Sequence, residues 1–354
     1  MKDFYKDKKV LITGHTGFKG SWLSQILINW NVEVAGYSLN PPTEPNLFNL
    51  LNLNSKMFST IGDVRDLNRL MEIFDEFKPD IVIHMAAQPL VRESYENPVY
   101  TYDTNVMGTV NICECVRQSS SVKSFLNVTT DKVYENVEKQ EGYSEDEKLD
   151  GFDPYSNSKS CSELVTHSYI NSFFKELEIP TSTARAGNVI GGGDFAKDRI
   201  IPDCFKACEN HEDIIIRNPY SIRPYQHVLE PLNMYLRIVK EQYNNKQYAG
   251  YYNIGPNDED CVETSKLVGL FCKYFNEKSP DKIKWINKSD GGPHEANFLK
   301  LDNSKIKQTF GWQPTWNIEK AIEKTVEWIN IYLNNGDIVK CVNNQINEFF
   351  YKQL

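Results

Sequence analysis

"VLITGHTGFKGSWL", residues 10–23, decides the architecture. It starts as a short apolar run rich in β-branched residues and ends as a helix opening. Between them stand Gly14, Gly17 and Gly20, spaced G-x-x-G-x-x-G. Glycines so placed permit a tight turn, close approach of a diphosphate to the helix N-terminus, and close helix–strand packing. The strand–turn–helix setting that gives such a motif meaning is present. The stretch predicts a dinucleotide site built from Gly14, His15, Thr16, Gly17, Phe18, Lys19 and Gly20.

Working outward, short apolar runs alternate with helical patterns through the first half. "KVLIT" (9–13), "VEVAGYS" (32–38), "KMFSTIG" (56–62), "DIVIHMAA" (80–87) and "VKSFLNVTT" (122–130) read as strands covered on both faces. Residues 98–117 read as a helix behind Pro98, with Val99, Tyr102, Val106, Val110 and Cys113 on one stripe. This alternation predicts an α/β fold: a Rossmann-like, doubly wound parallel sheet. From about residue 188 the pattern breaks into glycine triplets, prolines, short strands ("DIIIRNP", "YAGYYNIG") and helices at 262–276 and 317–334. That predicts a smaller mixed α/β C-terminal lobe, threaded partly back into the first. The expected division is 1–187 with a returning segment at 222–260 for the cofactor, and 188–221 with 261–354 for the substrate.

Bulk properties narrow the function. A net charge of −9 and a pI near 5.3, with no compensating basic run, argue against a nucleic-acid or anionic-membrane partner. No stretch approaches the ~18 apolar residues of a spanning helix. The opening "MKDFYKDKKVLITG" runs from charges straight into a strand, unlike a signal peptide. The eight cysteines form no C-x-x-C pair and do not cluster with the six histidines, so no metal site is expected. Free thiols in a reducing cytoplasm are the plain reading.

The second strand should end in an acid if NAD is held through its ribose diol. "YSLNPPTEP" offers none before Glu44, and no Lys or Arg for a 2′-phosphate. NAD is preferred to NADP. Asp63, ending the third strand, suits either the adenine end or an N-cap for a helix at 66–77.

"LNVTTDKVYEN", 126–136, carries Thr130, Asp131 and Lys132 to the end of a buried strand. About 25 residues on, "DPYSNSKSCSEL" places Tyr155 and Lys159 four apart on one helix face. A lysine beside a phenol favours the phenolate and lowers its pKa. These residues resemble the extended short-chain dehydrogenase/reductase superfamily. The longer strings "HMAAQPLVRESYENPV", "TNVMGT", "NVTTDKVYEN", "ARAGNVIGGGD", "IRPYQHVLEPL" and "PHEANFLKLD" resemble its nucleotide-sugar 4,6-dehydratases, with CDP-glucose as the substrate implied.

The resemblance implies that Thr130 binds the sugar 4-hydroxyl and that Tyr155 takes its proton, while Lys159 holds the nicotinamide ribose. Asp131 becomes the acid for the departing 6-hydroxyl. Lys132, where most relatives carry glutamate, becomes the base at carbon 5, or a stabiliser of the enolate. Val64, Ala86, Ala87, Gln88 and Asn105 join the cofactor residues. Gln88, Arg92, Asn188, Arg199, Arg217, Arg223 and His227 surround the nucleotide-sugar, arginine forks suiting phosphate. Each arginine taken alone also reads as a surface ion pair. The rival readings are a dehydratase of another nucleotide-hexose, a nucleotide-sugar epimerase, and a non-catalytic cofactor-sensing module. The Asp-Lys pair counts against an epimerase, and the intact Tyr155/Lys159 pair against the module. A homo-oligomer, dimer or tetramer, joined by a four-helix bundle is expected, with the 98–117 stripe as one face. An intramolecular contact predicts the same stripe.

Overall fold

The computed structural model describes residues 1–288 and 299–351. The residues 293–298 of "PHEANF" lie outside them. The predicted strands form at β1 (Lys9–Thr13), β2 (Glu33–Ser38), β3 (Phe58–Ile61), β4 (Ile81–His84) and β5 (Ser124–Thr130), and a further strand that the sequence reading did not mark forms at β6 (Thr181–Ala186). With β7 (Tyr251–Ile254) they make one seven-stranded sheet, ordered β3-β2-β1-β4-β5-β6-β7 and parallel throughout. The expected doubly wound α/β architecture is the observed one.

Alternate strand residues feed two cores. Val10, Ile12, Val34, Ile81, Ile83, Leu126 and Val128 face one layer, while Leu11, Ala35, Val82 and Phe125 face the other. The helix α1 (Phe18–Asn29) covers the first side; α2 (Leu67–Phe77) and α3 (Gly108–Gln118) cover the second. Next come α4 (Pro154–Tyr169), α5 (Ile200–Asn210) and α6 (Leu229–Asn244). Helix α6 carries the chain back into the sheet: Gln242 Nε2 donates to Ser124 Oγ at 2.8 Å and to the Phe125 carbonyl at 2.9 Å. Beyond β7 lie α7 (Thr264–Lys278), α8 (Ile318–Leu333) and α9 (Ile338–Tyr351). The last of these returns to α1, where Gln25 and Asn29 both donate to Asn343 Oδ1.

The expected single helix over 98–117 is interrupted. Pro98–Tyr102 passes through a π-helical turn, Asp103–Met107, before α3 begins. The extra residue in that turn rotates the face. Thr104, Asn105, Thr109 and Ile112 are buried, whereas Val99 is 81% exposed and Met107 47%. Polar side chains fill the contact with α4: Asn105 donates to Ser158 Oγ at 2.9 Å, and Thr109 meets Ser162 at 2.9 Å. The apolar stripe is therefore split: Val99 is exposed and Val106 and Val110 half-buried, whereas Tyr102 donates to Asn157 on α4 at 3.0 Å and Cys113 is fully buried in the second core.

Parallel strands all end on one side, so Gly14, the residues after β5, and Gly187 after β6 share one edge of the sheet. In an open α/β sheet that edge is where ligands bind.

Candidate active site

A cleft of about 1070 Å³ opens along this edge. Gly14 has φ +78°, and a Cβ there would lie 2.8 Å from the Ala86 amide. A Cβ on Gly20 would collide with the Gly14 carbonyl, so the helix can approach the loop only as glycine allows. At Gly17 nothing but the Gly14 carbonyl comes within 4 Å of such a carbon, leaving the loop face open to the cleft. Helix α1 has no side-chain cap, so its first-turn amides are available to an anion. Thr16 Oγ1 bridges Ser38 Oγ at 2.8 Å and the Leu39 carbonyl at 2.9 Å, tying the loop to the end of β2. Phe18 and Lys19 also line the cleft. His15 does not. Its ring is buried against Phe48 and meets Ser59 Oγ at 2.7 Å, and burial pulls its pKa down to about 4.

Ser38, Leu39, Asn40, Thr43 and Asn46 form the wall beyond β2. They are hydroxyls, amides and backbone, with neither carboxylate nor cation. Asp63 and Val64 line the cleft nearby. Asp63 is gripped by Arg65 (Nη2 to Oδ2, 2.7 Å), which holds its carboxyl below the usual range despite partial burial. The N-cap of α2 is Asp66, which accepts from the Arg69 amide at 3.0 Å. That removes the capping alternative for Asp63.

Thr130 closes β5, and Asp131–Val133 is a single tight turn. Tyr155 enters on the first turn of α4, behind the N-cap Asp153 and Pro154. Thr130, Asp131, Lys132 and Tyr155 all line the cleft. Burial pushes the Asp131 carboxyl up, against Lys132, its bond to Thr130 and Arg223. Asp131 Oδ1 accepts from Thr130 Oγ1 at 3.0 Å, while Oδ2 is buried with no partner among the described residues. Gly187 makes the room, since a Cβ there would lie 3.1 Å from that oxygen.

The phenol of Tyr155 departs from expectation. Burial pushes it up to about 12, with the Thr130 hydrogen bond and Arg199 pulling the other way. Lys159 is buried, donates to the Val128 carbonyl at 3.0 Å, and is not on the cleft wall. Its amine is drawn down to about 8 by burial, with Glu163 opposing. Four-residue spacing puts both on one helix face, yet burial outweighs the groups that pull the phenol down. Lys19 completes a cationic cluster: its amine lies 3.4 Å from Tyr235 Oη and is brought to about 7 by burial, Lys159 and Arg199, against Asp131.

The remaining expected residues divide. Ala86, Ala87, Gln88, Arg92, Asn188, Arg199, Arg217 and Arg223 line the cleft. Gln88 spends its amide locally, donating to Thr101 Oγ1 and accepting from the Leu90 amide. Asn105 is buried beneath it and holds it from both sides, through the Gln88 amide at 2.8 Å and carbonyl at 3.1 Å. Arg199 pairs with Asp194 at 3.0 Å, and Arg217 with Asp198 and Asp203. His227 is not at the cleft. It is fully buried, edge-on to Trp22 and Trp316, because its short strand Gln226–His227 turns it into the core. Sequence reasoning missed Asn218, Ser221, Tyr225 and Thr264, which also line the cleft. Asn218, Ser221 and Tyr225 lie in segments with no periodic signal, and Thr264 opens α7, a helix whose periodicity does not mark its first residue as part of a site.

A family model described as GDP-mannose 4,6 dehydratase matches residues 11–325. The chain is 46% identical to the CDP-glucose 4,6-dehydratase of Salmonella typhimurium, over 98% of each chain. Among solved structures, the dTDP-glucose 4,6-dehydratase of Bacillus anthracis in complex with NAD superposes with a TM-score of 0.75 at 21% identity, covering 95% of this chain and 99% of that one. The UDP-glucose 4-epimerase of Thermotoga maritima superposes equally well, with a TM-score of 0.77 at 22% identity over 92% and 99%. Such distant likenesses show the fold and do not separate dehydration from epimerisation.

Proposed function

The chain belongs to the GDP-mannose 4,6 dehydratase family, and from that premise we propose that it converts CDP-glucose to CDP-4-keto-6-deoxyglucose. The observation that carries this is Asp131: a buried carboxyl with raised pKa and one oxygen unpartnered, on the cleft wall with Thr130 and Tyr155. Epimerisation has no use for a retained acid there, whereas expelling a hydroxyl requires one.

The glycine loop fits NAD, since its open face at Gly17, uncapped helix end and cation-free wall beyond β2 suit a diphosphate and an unphosphorylated ribose. When bound there, NAD would supply the acceptor for the hydride of carbon 4 and, once reduced, the hydride for carbon 6. Thr130 orients the 4-hydroxyl and Tyr155 takes its proton. The resulting ketone acidifies carbon 5, whose proton goes to Lys132, while Asp131 protonates the leaving 6-hydroxyl. Arg199, Arg217 and Arg223, with Asn188, supply donors for the substrate diphosphate. We assign 1–187 and 222–260 to the cofactor, and 188–221 and 261–354 to the nucleotide-sugar. Subunits pair through α4 and the 98–118 helical run, where Val99, Met107 and Leu164 are exposed. Eight free thiols suit a reducing compartment, and we place the reaction in the cytoplasm.

Isotope tracing tests the reading. With CDP-glucose deuterated at carbon 4, the label should reach carbon 6, and in heavy water carbon 5 should gain solvent deuterium. Label returned to carbon 4 would mean epimerisation, label in free reduced cofactor a simple dehydrogenase, and no transfer a binding module. Incubation with UDP-, GDP- and dTDP-glucose checks the base.

A further inference from the structure

The proposed chemistry stands on two separate elements. Tyr155 and Lys159 ride on α4, while Asp131 and Lys132 occupy the turn after β5. A buried ion pair joins them. Glu163, one turn past Lys159, and Arg185 on β6 both have fully buried side chains. Arg185 Nε donates to Glu163 Oε1 and Nη2 to Oε2, each at 3.0 Å. Glu163 also accepts from Thr129 on β5 and, at 2.6 Å, from Thr183 on β6. On its other edge, Arg185 Nη1 donates to Tyr134 Oη at 2.8 Å and to the Glu145 carbonyl at 2.9 Å. The Tyr134 hydroxyl in turn donates to Asn253 at 2.6 Å. Tyr134 is the residue that immediately follows the Asp131–Val133 turn.

A fully buried ion pair gains little stability over a packed apolar pair, because desolvation of both charges offsets their attraction. What it provides is fixed geometry. The arginine fork holds the catalytic helix with one edge and the residue closing the acid–base turn with the other. We infer that the Glu163–Arg185–Tyr134 chain is a positioning device that sets Asp131 and Lys132 in register with Tyr155, and so governs elimination rather than the first oxidation. Thr130 has its own support in the β5–β6 ladder, and Lys159 in the Val128 carbonyl. Loosening Tyr134 therefore displaces the turn and spares the oxidation half. Glu163 also draws the Lys159 amine back up, so it acts on that half electrostatically as well.

This inference rests on the 4,6-dehydratase reading, and Tyr134→Phe tests it. The ring keeps its stacking on Tyr143, at 5.3 Å between centroids, and only the hydroxyl is lost. In stopped flow with CDP-glucose and the NAD-loaded enzyme, absorbance of reduced nicotinamide should rise within about twofold of the native rate. Its decay should slow by about tenfold or more, as misplacement of catalytic groups by a fraction of an ångström demands. KM should stay within about twofold, since substrate donors are untouched. Arg185→Lys, which keeps charge but loses the fork, should show the same split if Tyr134→Phe does not fold. Equal slowing of both phases, or a lowered Tm with unchanged phases, overturns the inference. A native enzyme that yields no 4-keto product overturns the dehydratase reading itself, and the inference with it.

Discussion

Asp131 and Tyr155 share one wall of the cleft, and burial acts on both in the same direction. For Asp131 this suits the role, because a carboxyl that holds its proton is ready to donate it. The folded-state pKa is raised, so the associated stability is present at low pH and lost as pH rises through the folded value. Asp131→Asn should therefore raise Tm at pH 7–8 and gain less at pH 4. The same variant should accumulate reduced nicotinamide from CDP-glucose without decay, because the acid is gone. For Tyr155 burial opposes the role, holding the phenol near 12. Tyr155→Phe should cut kcat by at least about 10²-fold with CDP binding retained, as calorimetry would read. The spacing of Tyr155 and Lys159 was legible in the sequence. The direction of the phenol's pKa was not, since it depends on what covers the ring.

At the level of elements, glycine positions separate necessity from slack. Gly20 has no space for a Cβ, whereas Gly269, inside α7, has nothing within 4 Å. Gly269→Ala should stabilise by about 0.5–1 kcal/mol, the helix-propensity difference, in a denaturant titration. Gly20→Ala should lower Tm and weaken NAD binding together, because the loop and α1 must part. The apolar stripe of the 98–118 run is the second case. Periodicity alone marked Val99, Tyr102, Val106, Val110 and Cys113 as a face, but not which partner covers it. The polar contacts of Asn105 and Thr109 with α4 leave its Val99 end exposed, while Cys113 at the other end is buried in the core. Leu164 on α4 is 52% exposed. Leu164→Glu should shift the sedimentation coefficient towards the monomer, and an unchanged value would exclude this face as the interface.

Over the whole molecule, the returning helix α6 and the C-terminal segment are locked by Glu230. Its Oε1 accepts from the Thr315 and Trp316 amides at 2.8 and 2.7 Å, while Oε2 has no partner among the described residues. Burial raises its pKa from 4.5 to about 8, against those two hydrogen bonds. The folded state binds this proton more tightly than the unfolded chain, so stability falls as pH rises from about 4.5 through 8. Glu230→Gln keeps the acceptor and removes the titration. Its Tm should exceed the native value at pH 9 and converge on it near pH 5, and a pH-independent difference would count against the mechanism.

What the sequence determined by itself is the part encoded over a few consecutive residues: strands rich in Val and Ile, the glycine loop, Thr-Asp-Lys at a strand end, and Tyr-x-x-x-Lys on a helix. Each is a local pattern whose meaning follows from backbone geometry. The tertiary structure alone decided what those side chains meet. It turned His227 and His15 into the core, pointed Lys159 at the Val128 carbonyl, and closed the Glu163–Arg185 pair between α4 and β6. Burial, ion pairing and pKa depend on groups brought together from distant parts of the chain. No spacing along the chain reports them.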